Sequence, residues 1–489
     1  MASFAISLPM PRPSSKIIGL SALCILPFWL GCASYNERIE SYYTAISDGQ
    51  YDKANTKIEH IPLLKKNRNK LLYFLEKGKI THSLGLYKTS NNYLNQADKY
   101  IEESRVNAGD IIAGTLVNPM MQKYLGEAFE KYMIHYYKAL NYVYLGQPQE
   151  AVVEARRITL LMHQQKGGPG GENKHYSQDA FPMILQGLIY ESTNDINNAF
   201  IAYRNATETY LKDENQVYYG LQMPAQLKKD LLRMAYENGF MDELARFEKI
   251  LNMNYEPQKS PKGGTLILFW ENGLAPIKNQ QDLVFTLVRR GGGFYFIDQN
   301  RGEPIPFHST VFLSDDQFER LRLSVFHVSF PIYQVRQPMY YSAWISNGKD
   351  SLKTEIAEDI NALAVLTLKQ RYLKEISLTL SRLAVKKVAE SVVRGKDHNS
   401  KKNKEILEGI AGALQVYNIF SEKADTRNWQ SLPAFISYAR FPLAPGTNKL
   451  SIILREENGR ENSHSFNING TGSFIFYNYS SPTSDKNAR

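Results

Sequence analysis

Between Phe181 and Tyr210 apolar residues recur at helical spacing in two runs, FPMILQGLIYES and INNAFIAYRNATETY, interrupted at Asn194-Asp195. Gly187, Tyr190, Ala199, Tyr203 and Ala206 stand at relative positions 0, +3, +12, +16 and +19. This spacing predicts two helices folded back on each other, with small side chains where the helices approach. Weaker copies of the pattern occur at Tyr42, Ala45, Ala54, Ile58 and Ile61; at Gly78, Thr81, Ser90, Leu94 and Ala97; and at Ala139, Tyr142, Ala151, Ala155 and Ile158. A degenerate fifth copy begins at Leu232 and Ala235. Position +7 reads Gly49, Gly85, Gly146, Asn194 and Gly239. Glycine, and next asparagine, enters the left-handed backbone region cheaply, and a helix often ends there before a tight turn. Tyr51, Tyr87, Pro148 and Ile196 follow two residues later in four of the copies.

The pattern resembles the tetratricopeptide (TPR) repeat. That resemblance implies a helical solenoid whose concave groove binds a protein or peptide. Gly78, Gly85, Ala139, Gly146, Ala151, Gly187, Tyr190, Ala199, Tyr203 and Ala206 are the repeat-defining residues. The anchors at 42, 78, 139, 187 and 232 are spaced irregularly, whereas an ideal array repeats every ~34 residues. The gaps therefore hold insertions, or a further helical pair within residues 98–135, broken at Asn118-Pro119.

After Pro257–Pro261 the period changes. Strands are predicted at Thr265–Trp270, Leu283–Arg289, Phe294–Ile297 and Leu321–Phe330, with Glu271-Asn272-Gly273 as a turn. Helical spacing returns from Glu355 to about Val393, and the polar HNSKKNK linker precedes a second helix ending near Phe420. Strands resume at Ala434–Arg440, Leu450–Arg455, His464–Ile468 and Phe474–Tyr479, with hairpin turns expected at Asn458-Gly459 and Asn469-Gly470. The fold class is α+β and multidomain: a TPR-like all-α solenoid, then an antiparallel sandwich or barrel-like β-domain with an inserted helical pair. The expected segments are 1–31 signal peptide, 32–40 lipidated tether, 41–255 helical domain, 262–345 first part of the β-domain, 352–422 helical insertion, 430–480 second part, and 481–489 disordered tail.

The address comes from the N-terminus. Arg12 and Lys16 precede an apolar run, Ile17–Leu30, of the ~7–15 residues that suit a signal-peptide core rather than a membrane span. The following Gly31-Cys32-Ala33-Ser34 resembles the lipobox of bacterial lipoproteins, although Trp29 and Leu30 depart from its usual residues. The resemblance implies acylation of Cys32 and, with Ala33 next, an outer-membrane protein facing the periplasm. An uncleaved anchor, and a start at Met10, are the alternatives. Both cysteines, Cys24 and Cys32, fall in this leader, so the mature chain has no disulfide and no cysteine metal site. WENGLAPIK (270–278), ADTRNWQSLP (424–433) and ARFPLAPGTN (439–448), behind such a leader, resemble a family of bacterial envelope lipoproteins; the resemblance brings no activity with it.

At 489 residues, 43% hydrophobic and 12% aromatic, the chain can bury substantial cores. The formal charge of +9 is diffuse, which disfavours nucleic acid as a partner. Lys369, Arg371, Lys374, Arg382, Lys386, Lys387 and Arg394 make the inserted helix basic, suited to anionic lipid or to solvent. Gly167–Gly171 lacks the strand and the GK[ST] ending of a phosphate loop. No GxSxG, HExxH or paired metal-ligand motif occurs, so neither metal nor cofactor is expected. Glu127, Glu130, Glu154, Arg157, Glu271, Lys278, Asp425 and Arg427 form a candidate polar cluster, with no catalytic residue assigned. Glu154 and Arg157 read as an ion pair three residues apart, and Asp425 with Arg427 as a pin between helix and strand. The leading expectation is a lipid-anchored, non-catalytic adaptor. A hydrolase or transferase acting on envelope glycan or lipid is the second reading, and a lipopolysaccharide or lipid binder the third. The enzyme reading requires a deep pocket around Glu271, Asp425 or Glu127.

Overall fold

The computed structural model describes residues 35–106, 119–166, 179–290, 293–298, 304–306, 325–394 and 423–483. The leader with Cys32, the Gly167–Gly171 loop and the segment holding HNSKKNK and the second inserted helix lie outside the described residues.

Five helical hairpins follow one another. They are α1 (Tyr35–Ser47) with α2 (Tyr51–Glu59); then, after the short α3 (Pro62–Lys65), α4 (Lys70–Ser83) with α5 (Tyr87–Val106); α6 (Ala128–Tyr144) with α7 (Pro148–Lys166); α8 (Ala180–Ser192) with α9 (Ile196–Tyr210); and α10 (Ala225–Glu237) with α11 (Met241–Leu251). Every hairpin turns in the same way. Gly49, Gly85, Gly146, Asn194 and Gly239 have φ of 70°, 73°, 69°, 61° and 74°. In each turn this residue's N–H donates to the carbonyl three positions back, and the next N–H reaches the carbonyl at +3, as from Asp195 to Tyr190. These are Schellman caps, which satisfy carbonyls that a helix end leaves open. Tyr51, Tyr87, Pro148 and Ile196 are the first residues of the returning helices.

The other repeat positions are the contact points between paired helices. Ser90 Oγ donates to the Gly78 carbonyl at 2.7 Å, joining position +12 to position 0. A Cβ built on Gly187 would lie 2.3 Å from the Tyr203 ring, and one on Gly78 2.4 Å from Leu94 Cδ2. Ala139, Ala151, Ala199 and Ala206 are fully buried. Helix α5 is 20 residues long and a 3-10 turn, Pro119–Met121, leads to α6; residues 107–118, where a further helical pair is expected, lie outside the described residues. Helix α1 starts at Tyr35, within the stretch 32–40 assigned above to a tether.

Among the described residues, the remainder forms three four-stranded sheets. The first has β10 (Glu355–Asp359), β11 (Phe435–Pro442), β3 (Thr265–Asn272) and β14 (Phe474–Ser481) in that order. The second has β13 (Glu461–Gly470), β12 (Gly446–Glu456), β8 (Tyr340–Ser346) and β9 (Ser351–Lys353). The third has β6 (Pro304–Pro306), β5 (Gly293–Asp298), β4 (Ile277–Arg290) and β7 (Val325–Gln334). A small hairpin, β1 (Val217–Tyr218) and β2 (Leu221–Gln222), links α9 to α10.

The first sheet is the middle layer of the molecule. One face of β3, through Ile267 and Phe269, joins the helical core; the other, through Leu266, Leu268 and Trp270, packs against Leu450, Ile452 and Leu454 of the second sheet. Burial on both faces explains why Leu266–Trp270 is continuously apolar rather than alternating. Helix α12 (Ile360–Arg394) covers the third sheet, with Leu368, Ile376 and Leu380 against Phe285, Phe296 and Phe330.

Several expectations change. β14 runs parallel to β3, so the domain is not purely antiparallel. β3 continues through Glu271 and Asn272, which therefore are not turn residues. Pro331 lies inside β7, tolerated because β7 is an edge strand. β9 and β10 fall within the stretch 352–422 read as purely helical. Asn469-Gly470 pairs with Thr447 and Gly446 inside β13, and the chain then crosses to another sheet at Thr471–Ser473 instead of closing a hairpin. Ser481 still pairs with Asn272, and the Met339 N–H donates to the Thr483 carbonyl, so the chain is ordered beyond 480.

Candidate functional site

The helices pack against the β-domain, and most of the candidate polar cluster lies where the two meet, on the first and third sheets and the 423–433 segment. Phe269 of β3 meets Phe181 of α8 and Tyr136 of α6 edge-on, at 6.1 and 5.9 Å between ring centroids. Apolar contact at this distance leaves little room for water, so charges here need partners inside the protein. The groove in which the sequence places a protein or peptide is filled by the chain's own β-domain.

Three knots of charge tie the layers. In the first, Lys278 Nζ of β4 and Arg371 Nη2 of α12 both donate to Glu127 at the start of α6, each at 2.8 Å. Burial would raise the Glu127 carboxyl, but the two cations outweigh it and hold it at about 2. One turn on, burial and the neighbouring Glu127 charge push Glu130 up to about 7. Its Oε1 accepts from the Trp429 N–H at 2.7 Å; Oε2 accepts from the Tyr124 hydroxyl at 2.6 Å and the Glu127 N–H at 2.9 Å. Arg427, fully buried, donates to both Asp425 oxygens, to Asn69 Oδ1 and to the Arg68 and Gln122 carbonyls. Asp425 and Arg427 thus pin the 423–433 segment to the helices rather than only to a neighbouring strand.

In the second knot, Glu271 at the end of β3 accepts from Lys79 of α4 at 2.5 Å and from Asn478 and Ser480 of β14. Lys79 overcomes the effect of burial and holds the carboxyl at about 2. His82 lies alongside, its Nδ1 2.6 Å from Asn141 Oδ1; burial lowers the imidazole to about 4. In the third knot, Glu191 of α8 and Asp230 of α10 bind both Arg233 and Arg440 of β11. Here again burial opposes the charge, and the arginines hold Glu191 at about 2.

Glu154 and Arg157 lie apart from this interface and do not pair with each other. Glu154 meets His135 Nδ1 at 2.7 Å and Lys138 at 3.0 Å, whereas Arg157 bonds Asp98 at 2.6 Å. They line an open groove of about 560 Å³ between α5, α6 and α7, together with Lys99, Glu102 and Glu150.

The sequence missed Lys79, Glu191, Asp230, Arg233 and Arg440, and Arg371, read there as facing anionic lipid or solvent, is bound to Glu127 instead. A signal was present for most of them: Lys79 follows anchor Gly78 directly, Glu191 lies one turn after Gly187, and Asp230 and Arg233 flank Leu232. Charges so near a buried helix anchor must be neutralised by something that covers them.

The chemistry available to the interface is limited by its closure. Only about 10 Å³ of void lies beside Glu271, Lys79 and Ser480, room for a single water at most. Glu130 has a carboxyl poised near neutrality but is 1% exposed, and its neighbours saturate it. Among the described residues, no three His, Cys, Asp or Glu side chains converge as metal ligands do.

No protein-family model and no curated protein matches the chain. Among solved structures, the apo form of RapI is similar at 12% identity over 45% of this chain and 54% of RapI, with a TM-score of 0.32. MamA is similar at 15% identity over 44% of this chain and 92% of its own, TM-score 0.26. BtubC (BKLC) from P. vanneervenii is similar at 15% identity over 46% and 84%, TM-score 0.31. The chain thus spans about half the length of RapI. Each likeness covers less than half of this chain, at scores that leave the fold to the geometry above.

Proposed function

We propose that the chain is a lipid-anchored, non-catalytic envelope scaffold whose protein or peptide partner docks on the outside of the helical array, in the groove between α5, α6 and α7. The observation that carries this reading is that the β-domain covers the inner face of the helices and satisfies its charges, leaving the groove between α5, α6 and α7 open with Arg157 and Glu154 in its lining. Val153, 43% exposed there, offers apolar contact beside mixed charge, the composition of a protein-docking surface rather than a substrate cleft.

A photo-crosslinker at Val153 in intact cells should capture one protein reproducibly, and Arg157→Glu should abolish the capture. Failure to capture any protein, together with turnover of an envelope glycan by the purified chain, would establish an enzyme instead. The anchoring part of the proposal is read separately. Among the described residues no helix is long and apolar enough to cross a membrane, and acylated Cys32 is the attachment we propose, at the outer membrane facing the periplasm. Cys32→Ala should stop incorporation of labelled palmitate and release the chain from membranes; retention there would refute it.

A further inference from the structure

The N-terminal end of the array carries an open cleft of about 660 Å³ between α1, α2 and α3. Arg38, Lys53, Lys57, His60 and Lys66 converge on it, over a floor that includes Ile61 and Pro62, and no carboxylate is among its lining residues. Glu59, next to His60, is engaged with Lys65 and Lys77. Lys57 and Lys66 have no ion-pair partner among the described residues, and both are solvent-accessible. Glu37, Glu40 and Asp48 line a separate hollow that shares Lys53 and Lys57, whereas Arg38, His60 and Lys66 line the basic cleft alone. Clustered ammonium groups around an open cavity of this size suit a phosphate group, with the lysines acting as point charges.

We infer that this cleft binds the phosphates of anionic membrane lipids and so sets the orientation of the anchored protein. The source follows from position, and in this respect the inference rests on the proposed anchor. Tyr35 opens α1 three residues after Cys32. An extended chain spans ~3.3–3.6 Å per residue, so α1 starts within about 10 Å of an acylated Cys32. Arg38 is one helical turn further, about 5 Å. That places the cleft near the reach of the surface potential, which decays over a Debye length of about 8–10 Å. A tethered site of this kind meets lipid headgroups at high effective concentration, so weak individual contacts suffice. A single acyl anchor fixes attachment but not orientation; a basic site beside it supplies the second signal. Arg371 of the inserted helix is already bound to Glu127 and Glu375.

The test uses the full chain purified from membranes and reconstituted into vesicles of phosphatidylcholine, with or without phosphatidylglycerol. Lysine acetylation is then read by mass spectrometry. Acetylation of Lys57 and Lys66 should fall about fivefold in the anionic vesicles, the effect of ~1 kcal/mol per basic residue near such a surface. Lys249, exposed on α11 at the other end of the array, should react equally in both. Equal reactivity of Lys57 and Lys66 in the two vesicles overturns the inference. Protection by inorganic phosphate on phosphatidylcholine vesicles, without phosphatidylglycerol, overturns the lipid assignment in favour of a free anion. The anchor is judged independently by sedimentation of the Cys32→Ala chain with phosphatidylcholine vesicles. The footprint is measured whichever way that comes out. As a second variant, Lys53→Gln with Lys66→Gln should remove the remaining protection of Lys57 without changing its reactivity on phosphatidylcholine.

Discussion

The two faces of the helical array are built from the same hairpins yet carry charge for different ends. On the face covered by the β-domain, Glu127, Glu271 and Glu191 are buried, and each is matched to a cation across that interface. Toward the outside and the N-terminal end, Lys53, Lys57 and Lys66 line an open cleft with no matching acid among its walls. A charge next to a helix anchor on the inner face belongs to the fold. Charges gathered on an open cleft remain available to a partner.

The comparison breaks most visibly at Glu271. Glu271→Ala leaves the Lys79 ammonium buried without its carboxylate, and should lower the unfolding free energy by about 3–5 kcal/mol in urea titrations. Lys79→Met combined with Glu271→Leu should recover most of that loss. A cost below about 1 kcal/mol for the single change would show that water reaches the interface.

The next effect is in pH. Glu130 is held above its ordinary value, so the stability it contributes is complete below about 4.5 and is lost as pH rises through about 7. That amounts to on the order of 3 kcal/mol. Glu76 and Glu358 are pushed in the same direction, chiefly by burial. Glu127 and Glu271, held at about 2, contribute stability above about 4.5 that is lost as pH falls toward 2. Midpoints measured across this range should therefore peak between the two windows. Glu130→Gln should flatten only the limb between 4.5 and 7; an unchanged limb would exclude Glu130 as a source.

Smaller changes sharpen the role of the hairpins. Gly187→Ala places a methyl 2.3 Å from the Tyr203 ring and should cost about 1–3 kcal/mol, seen as a lower denaturation midpoint. Gly146→Ala meets no neighbour within 4 Å, so only the left-handed backbone at φ 69° is strained, for about 1 kcal/mol. Equal costs for the two would mean that helix contact and turn geometry are not separable as the repeat pattern implies.

Much of the helical half was legible because its rules are local. The left-handed residue at Gly85 or Asn194, and the small residue at Gly78 facing Leu94, are required by contacts within a single hairpin. In the β half the existence of strands was legible, but their ends and sheet membership were not. Glu271 looked like turn chemistry because Asn272-Gly273 follows it, whereas pairing with Ile436 keeps it in β3. Of the candidate cluster, Glu127 and Lys278 did come together, and Asp425 paired with Arg427. Glu154 and Arg157, three residues apart, took separate partners, because α5 and α6 offered better-placed groups.

By itself the sequence determined where each helix stops and restarts, since a Schellman cap needs only a residue that enters the left-handed region and the carbonyls just before it. It also determined which side chains lie between paired helices, through the fixed offset from Gly187 to Tyr203. The tertiary structure alone decided what fills the concave groove and which charges neutralise each other there. Lys79 and Glu271 are 192 residues apart, and Glu191 and Arg440 are 249. Nothing local selects such partners: the free energy of removing both charges from water is recovered only once the helical face and the sheet have closed on each other.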